Sequence, residues 1–196
     1  MISPQNVLQF WFGDDPGQPL ANQAQWWKKD PEFDAKIRER FLSAIEKAKR
    51  GELKSWEASP EGLLALVILL DQFSRNCFRN DPTGFAADHQ ALKHSLEGQA
   101  KSWDQKMTPT QRWFFLMPMM HSEDREMQRR SIEAYRRLAE HAPSELKSTL
   151  NGALDFAHRH ADIVNRFGRF PHRNAVLGRQ STPEETEFLK QPNSSF

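Results

Sequence analysis

The chain has 196 residues, and its 27 Lys and Arg against 26 Asp and Glu leave a net charge of +1. A balance so close to zero argues against nucleic acid or an anionic membrane surface as a partner, because either favours a strongly basic domain. The single cysteine excludes an intrachain disulfide, and the apolar run 63–70 is too short to span a bilayer. No charged and apolar leader segment follows Met1. We therefore expect a cytoplasmic protein.

Helix starts are marked along the chain by a capping residue followed by proline. At each such pair a side-chain oxygen can occupy the N-cap, and proline the first helical position, where its missing N–H costs nothing. The pairs are Ser3-Pro4, Asp30-Pro31, Ser59-Pro60, Asp81-Pro82, Thr108-Pro109 and Thr182-Pro183. Because alternating β-branched runs are absent, we expect an all-α fold. The predicted helices are 3–12, 21–28, 31–49, 60–76, 83–98, 109–117, 121–141, 144–167 and 183–190.

Composition and the residues that end helices predict how these helices are organised. No low-complexity linker divides the chain, so we expect residues 1–196 to form a single helical domain of about nine antiparallel helices. Residues 63–70 are apolar on every side, which predicts a helix at the buried centre. Gly51 and Gly168 are placed to end two long helices, and Pro118 to stop a third. No repeat of about 34 residues is visible, so spacing alone does not favour a tetratricopeptide array.

The first candidate site is LLDQFSRNCFRN, residues 69–80, at the end of the most apolar helix. Asp71 and Arg75 are four residues apart, which places a carboxylate and a guanidinium on one helical face. A charge at the end of so buried a helix needs a partner, because an unpaired buried charge costs several kcal/mol. The pair is therefore either structural, with Gln72 and Asn76 bonded to nearby backbone, or ligand-facing.

The second candidate site is MPMMHSEDREMQ, residues 117–128. Periodicity places Asp124 and Gln128 on the apolar face of the following helix, so both are expected to point inward. His121 stands three residues before Asp124, close enough to contact it. Glu123 and Asp124 also suit the helix dipole of a first turn. Inward polar groups at a helix start form either a buried network or a site, and their convergence favours a site.

The third candidate site is FAHRHADIVNRFGRFPHRNAVLGR, residues 156–179. His160 is expected to face inward, where a lone histidine is more often a core residue than a ligand. The helix then gives way to a loop whose Arg169, His172 and Arg173 suit carboxylate or phosphate. We expect the aromatic residues of this loop to pin it to the protein. Its arginines would then meet the acids of the first two motifs, an anionic ligand, or both.

No metal and no cofactor are predicted. Metal-ligating residue types occur in the second and third motifs, but the chain has no HExxH and no paired-cysteine spacing. Cys77 follows an apolar helix without an adjacent base, so we expect it to be a small buried hydrophobe. A Gly-rich phosphate loop and a GxSxG elbow are also absent from the sequence.

These stretches together resemble a bacterial family of unknown function, the domain-of-unknown-function family 924. The resemblance runs from VLQFWFGD through LLDQFSRN and MPMMHSED to RFGRFPHRNAVLGR and STPEE. It implies stacked helix pairs of the tetratricopeptide-like superfamily, and it brings no established activity. The motif residues of the family correspond to Trp11, Asp71, Arg75, Asn76, His121, Ser122, Glu123, Gln128, His160, Arg169, Arg173 and Arg179. The family usually has proline where this chain has Ser74, so we expect the helix to run one turn further and to reorient Arg75.

The leading hypothesis is a helical protein with one polar cleft that binds a small anionic molecule, a phosphate or carboxylate compound. His121 is the candidate general acid or base, oriented by Glu123 or Asp124. The candidate ligand-binding residues are Asp71, Arg75, Asn76, Gln128, His160, Arg169, His172, Arg173 and Arg179. The alternative is a tetratricopeptide-like scaffold for a protein or peptide partner, in which the charged motifs form a buried structural network. RNA binding through the basic loop is disfavoured by the neutral total charge.

Overall fold

The computed structural model describes residues 2–15 and 18–196, and these form helices, turns and loops without a strand. The predicted all-α class is therefore confirmed. The helices α1 to α10 span Pro4–Phe12, Gln23–Trp27, Pro31–Lys49, Pro60–Val67, Ser74–Cys77, Asp88–Ala100, Pro109–Met120, Arg125–Glu140, Lys147–Phe167 and Pro183–Phe188. A π-helical segment, Ile68–Phe73, joins α4 to α5 in one continuous rod. The described residues thus hold nine helical rods, in agreement with the expected number.

The helices belong to two compact units. Unit 1 comprises Met1–Arg79 and Thr83–Pro118, and unit 2 comprises Asn80–Pro82 and Met119–Phe196. The expectation of one domain over residues 1–196 stays a prediction. Within the described ranges, no helix combines the length and the apolar character needed to cross a membrane.

Most of the predicted helix starts are confirmed, because α1, α3, α4, α7 and α10 each begin at the proline that follows a capping residue. At α4, for example, the Ser59 hydroxyl accepts a hydrogen bond from the backbone N–H of Gly62. The exception follows Asp81, where Pro82–Gly84 form only a 3₁₀ turn and the next helix begins later than the predicted 83–98. The β-branched threonine and the glycine of this turn have weak helix propensity, which explains the late start.

The prediction that Pro118 stops a helix is wrong, because α7 continues through it to Met120. A proline inside a helix lacks the N–H that would bond one turn back and therefore destabilises the helix. The side chains of this helix are nevertheless deeply buried, among them Phe114 and Leu116. Each fully buried side chain of this size contributes about 1.5–3 kcal/mol, so their burial outweighs the cost of the single proline.

The buried centre of unit 1 is formed by residues 63–70, as predicted, and none of them is more than 2 % exposed. Large aromatic side chains pack around this helix. The Trp11 ring meets the rings of Phe73 and Phe114 edge-on, with centroids 5.5 Å apart in both pairs. Such pairs contribute about 0.5–1.5 kcal/mol beyond area burial. This aromatic packing fixes the position of the apolar helix and of Asp71 at its polar end.

Unit 2 is built on α8 and α9, which pack against each other. Tyr135 on α8 and Leu150 and Val164 on α9 are buried between them and their neighbours. The helix α9 ends at Gly168, whose φ of +72° is the left-handed conformation that glycine adopts without strain, as predicted. The chain there turns into residues 169–179, which we call the arginine loop.

Two glycine substitutions should have opposite effects on stability. A Cβ at Gly62 would overlap the backbone carbonyl oxygen of Trp56, so Gly62→Ala should lower the free energy of unfolding by about 1–3 kcal/mol. Gly152 lies inside α9 with no neighbouring atom within 4 Å of an added Cβ, so Gly152→Ala should raise it by about 0.5–1 kcal/mol. Urea denaturation of both variants measures the two changes in the free energy of unfolding. Changes of the same sign would contradict this account of the packing.

Candidate functional site

The polar end of the buried helix in unit 1 forms the first charged group. Asp71 is buried within the π-helical segment Ile68–Phe73. Its carboxylate accepts hydrogen bonds from Gln72 Nε2 at 2.6 Å and from Arg75 Nη2 at 3.3 Å. The same Arg75 nitrogen donates to both oxygens of Asp88, at 3.1 and 3.0 Å. Arg75 therefore joins two carboxylates from different helices of one unit.

This arrangement supports the structural alternative for Asp71 and Arg75. Burial lowers the pKa of Arg75, but the carboxylates of Asp71 and Asp88 outweigh burial and hold that pKa above its ordinary value. The guanidinium stays charged, and its charge offsets those of the two acids. Asn76, expected to bind ligand beside Arg75, lies outside this group because its amide donates to Asp34 at 2.7 Å.

The helix through Asp71 departs from α-helical hydrogen bonding, which no pattern in the sequence predicted. The Ser74 N–H donates to the carbonyl oxygen of Leu69, five residues back, and the Ser74 hydroxyl donates to the same oxygen at 3.2 Å. A proline at position 74 would have no backbone N–H and could not donate this hydrogen bond. With serine there, the helix continues to Cys77, as expected. Single π-helical turns of this kind occur frequently at functional sites.

In unit 2, Glu123 anchors the arginine loop. Its Oε1 accepts hydrogen bonds from the backbone N–H of Phe170 at 2.8 Å and from Arg179 Nη2 at 2.9 Å, and its Oε2 accepts one from Arg179 Nη1 at 2.7 Å. Burial raises the pKa of Glu123, but the hydrogen bonds from Arg179 and Phe170 outweigh it, so the pKa lies below its ordinary value. The expected meeting of loop arginines with this motif is thus observed. Glu123 therefore holds the loop.

Arg169 makes a second bidentate ion pair within unit 2. Its Nε and Nη2 donate to the two oxygens of Glu185 at 2.7 and 2.8 Å, and Nη2 also donates to the carbonyl oxygen of Gln180. Glu185 is buried and belongs to the capping box of α10, where the Thr182 N–H is a further donor. The Arg169 guanidinium accordingly lowers the pKa of Glu185 to about 2. Arg169 was expected to bind ligand, and it binds a carboxylate of the chain itself.

The start of α8 shows that the inward orientation expected for Asp124 is wrong. Asp124 is the exposed N-cap residue, and its carboxylate accepts a hydrogen bond from the Met127 N–H at 2.9 Å. An N-cap has extended backbone, so the helical periodicity that placed Asp124 inward does not reach it. Gln128 is buried as expected, and its amide donates to the carbonyl oxygen of Met120 at 2.7 Å. Both residues therefore stabilise the turn that precedes α8.

Four basic side chains of unit 2, which we call the basic cluster, gather near the buried ring of Phe170: His121, His160, His172 and Arg173. The Phe170 centroid lies 5.5 Å from that of His160 and 5.6 Å from that of His172. The Arg173 guanidinium carbon lies 4.4 Å over the same ring. His121 joins through its imidazole, 6.1 Å from that of His160, and through its carbonyl oxygen, which accepts a hydrogen bond from Arg173 at 3.0 Å.

His160 is the buried member of the basic cluster and is held neutral. It is 4 % exposed, and its Nδ1 lies 2.8 Å from the carbonyl oxygen of Phe156. Nδ1 therefore carries the proton and Nε2 the lone pair. Burial lowers the pKa of His160 to about 3, and His121 acts in the same direction. The Phe196 ring, itself 46 % exposed, stacks on this imidazole at 3.7 Å.

The part of the chain that the structure describes offers no preformed metal site and no reactive thiol. In residues 2–15 and 18–196, no three or more His, Cys, Asp or Glu side chains are placed to hold an ion. Cys77 is buried, and burial raises the pKa of its thiol to about 11. The thiol is therefore protonated at neutral pH, which fits the expected small buried hydrophobe.

Sequence reasoning missed Asp88, Glu185 and Phe196. Glu185 did carry a signal, the Thr-x-x-Glu capping box, but that signal indicates only a helix start. Asp88 and Phe196 carry none, because their partners lie on other segments of the same unit. The expectation that the motifs of residues 69–80 and 156–179 share one cleft stays a prediction.

The comparisons with known proteins extend over nearly the whole chain. The family model described as a bacterial protein of unknown function (DUF924) matches residues 7–193. Among solved structures, a protein of unknown function from Agrobacterium tumefaciens, ATU0120, is similar to this chain at 36% sequence identity and a TM-score of 0.82, over 95% of this chain and 96% of that chain. No curated protein matches. The chain belongs to the bacterial DUF924 family, whose function is unknown.

Proposed function

We propose that the basic cluster of unit 2 binds a small anionic molecule, a phosphate or carboxylate compound. The observation that carries this proposal is the gathering of Arg173, only 7 % exposed, with three imidazoles at one place. Guanidinium and imidazole groups are strong donors to phosphate and carboxylate oxygens. Arg169 and Arg179 form the ion pairs that position the loop.

The surroundings of His160 support a ligand that also has a hydroxyl or amino group. The Phe196 ring stacks on one face of the imidazole, 3.7 Å away and with 16° between the planes, so the chain itself covers that face. The lone pair of His160 Nε2 can accept a hydrogen bond from a ligand O–H or N–H. A neutral acceptor beside cationic donors distinguishes a hydroxylated or amino-bearing anion from a simple inorganic one.

Within this proposal, His121 is the group suited to proton transfer. A general acid or base works best with a pKa near the operating pH, and His160, whose pKa is about 3, does not meet that condition. His121 is partly exposed and lies beside His160.

A second candidate function is a helical scaffold that binds a protein or peptide partner. The observation that favours it is the pairing of Arg169 with Glu185 and of Arg179 with Glu123, since these contacts stiffen unit 2 without any ligand. The tetratricopeptide-like stacking that the sequence resemblance implies belongs to this proposal. The two candidates differ in whether Arg173, which packs on Phe170 and donates to the carbonyl oxygen of His121, also binds a ligand.

Removing the charge of Arg173 should weaken anion binding. We expect phosphorylated or carboxylated metabolites to raise the melting temperature of the wild-type protein, and Arg173→Gln to weaken their binding by about tenfold or more in calorimetry, the loss expected for a charge-assisted hydrogen bond. Arg129 on α8 is exposed and paired with Glu126, so Arg129→Gln provides the matched control and should bind as the wild type does.

Two further variants keep this test decisive if Arg173→Gln does not fold. His121 and His172 are only partly buried, so His121→Gln and His172→Gln are expected to fold and to bind more weakly. The proposal is wrong if no such compound raises the melting temperature of the wild-type protein, or if both histidine variants bind with wild-type affinity.

The neutral state of His160 should make the protein less stable as the pH falls from 6.5 to 4.5. In this window the unfolded chain protonates His160 at its ordinary pKa of 6.5, while the folded protein, with a pKa of about 3, does not. The unfolded state then binds more protons, which costs up to about 1.4 kcal/mol of stability per pH unit. His160→Gln should flatten this slope in urea denaturation, whereas the exposed control His141→Gln should keep it. An unchanged slope in His160→Gln contradicts the burial argument.

Loss of Arg179 should destabilise unit 2. In Arg179→Ala the carboxylate of Glu123 loses both of its guanidinium donors, so we expect the free energy of unfolding to fall by about 1–3 kcal/mol. Arg166→Ala removes an exposed pair with Glu184 and should cost less than about 1 kcal/mol. Urea denaturation compares the two, and equal losses would show that the Glu123 pair is not structural.

A further inference from the structure

Residues 194–196 bring an aromatic ring back onto the basic cluster of unit 2. After α10 the backbone of Asn193 adopts the left-handed conformation, with a φ of +62°, in which asparagine is enriched. Ser194 is buried, and its hydroxyl donates a hydrogen bond to the carbonyl oxygen of Leu189 at 3.1 Å. The chain is therefore anchored at Ser194, two residues before Phe196.

The Phe196 ring lies beside two members of the basic cluster. Its centroid is 3.7 Å from that of His160, with the planes nearly parallel, and 5.9 Å from that of His172, with the planes nearly perpendicular. No hydrogen bond joins Ser195 or Phe196 to another residue in the described ranges. Ring contacts therefore hold Phe196 in this place.

These ring contacts are weak compared with those in the core of unit 2. The Phe196 ring is 46 % exposed, whereas Phe170, which packs against the same histidine, is fully buried. The gain from burial grows with the apolar area removed from water, so Phe196 gains much less than Phe170. The Phe156 ring, 6.1 Å from that of Phe196, is 47 % exposed and offers the ring a second apolar surface. The Phe196 ring can thus leave His160 at low energetic cost.

We propose that Phe196 is a displaceable cover that regulates the basic cluster. In the closed position its ring shields one face of His160 and lies beside His172. In the open position the anchor at Ser194 stays in place and the Phe196 ring turns away, so that a bound anion reaches both imidazoles. This inference rests on the proposed anion site, because a cover regulates only a site that binds a ligand. Since the ligand binds the open position, its apparent affinity is reduced by the fraction of molecules that are open.

Chemical modification of His160 tests the cover on the full-length protein without any ligand. Diethyl pyrocarbonate acylates an unprotonated imidazole nitrogen, and Nε2 of His160 carries the free lone pair. We expect Phe196→Ala to raise the rate of His160 modification about fivefold or more, because the closed position is then lost. Mass spectrometry measures this rate, since tryptic cleavage after Arg159 separates His160 from His158. The exposed His141 of the same unit is the internal control, and its rate should not change.

Binding of glycerol phosphate, an anion with hydroxyl groups, tests the regulation. In calorimetry Phe196→Ala should bind it about threefold or more tightly than the wild-type protein, because every molecule is then open. Phe196→Trp keeps a planar ring and is the matched control, which should show wild-type affinity and the wild-type rate of His160 modification. Because Phe196 is exposed, both variants are expected to fold.

The outcomes separate the cover from the anion site. The cover is wrong if His160 is modified no faster in Phe196→Ala, or if that variant binds glycerol phosphate with wild-type affinity, and in both cases the anion site stands or falls on the Arg173 variant. If His160 is modified faster but neither protein binds glycerol phosphate, the shielding of His160 is confirmed and the anion site is contradicted. Faster modification together with tighter binding supports both proposals.

Discussion

The position of the basic cluster depends on a single carboxylate, that of Glu123. It binds the backbone N–H of Phe170 and the guanidinium of Arg179, which lie 47 and 56 residues further along the chain. Closing so long a segment costs conformational entropy, and a bidentate ion pair together with a backbone hydrogen bond offsets that cost. Through this contact the ring of Phe170 is fixed beside His160, and Arg173 is fixed over the ring. The arginine loop thus has one defined conformation in unit 2.

The arginines of the loop have different tasks because their neighbours differ. Arg169 and Arg179 each bind a carboxylate in bidentate geometry, and these ion pairs hold the backbone of the loop in place. Arg173 is buried on the ring of Phe170, donates to the carbonyl oxygen of His121 and is close enough to Glu123 to help lower the pKa of that carboxyl. Ion pairs that fix the loop around Arg173 reduce the ordering cost of binding, because the donors are already in place before a ligand arrives. This division connects the two candidate functions, because the same structural network that stiffens a scaffold also preorganises a site.

Local patterns in the sequence were enough to predict the helical class, most of the helix starts and the buried helix of residues 63–70. Capping residues and apolar periodicity act over one or two turns, so a single sequence contains them in full. The failures at Pro118 and Asp124 arise where burial outweighs a helix breaker and where the helical period ends at a cap. The members of the basic cluster were named, but the partners Asp88 and Glu185 were not. Pairing between separate segments depends on packing, which short-range patterns do not contain.

The π-helical segment has a consequence for the register of everything that follows it in unit 1. Each residue of an α-helix turns the side-chain direction by about 100°, and a turn closed over five residues in place of four accommodates one residue more. Relative to an uninterrupted helix, Arg75 and Asn76 are therefore rotated about the axis by roughly that angle. Deletion of Gln72 would shorten the segment by one residue and leave the apolar run 63–70 intact. It would nevertheless swing Arg75 away from Asp88 and Asn76 away from Asp34, so the charge pairing at this end of the helix is encoded in spacing as much as in residue type.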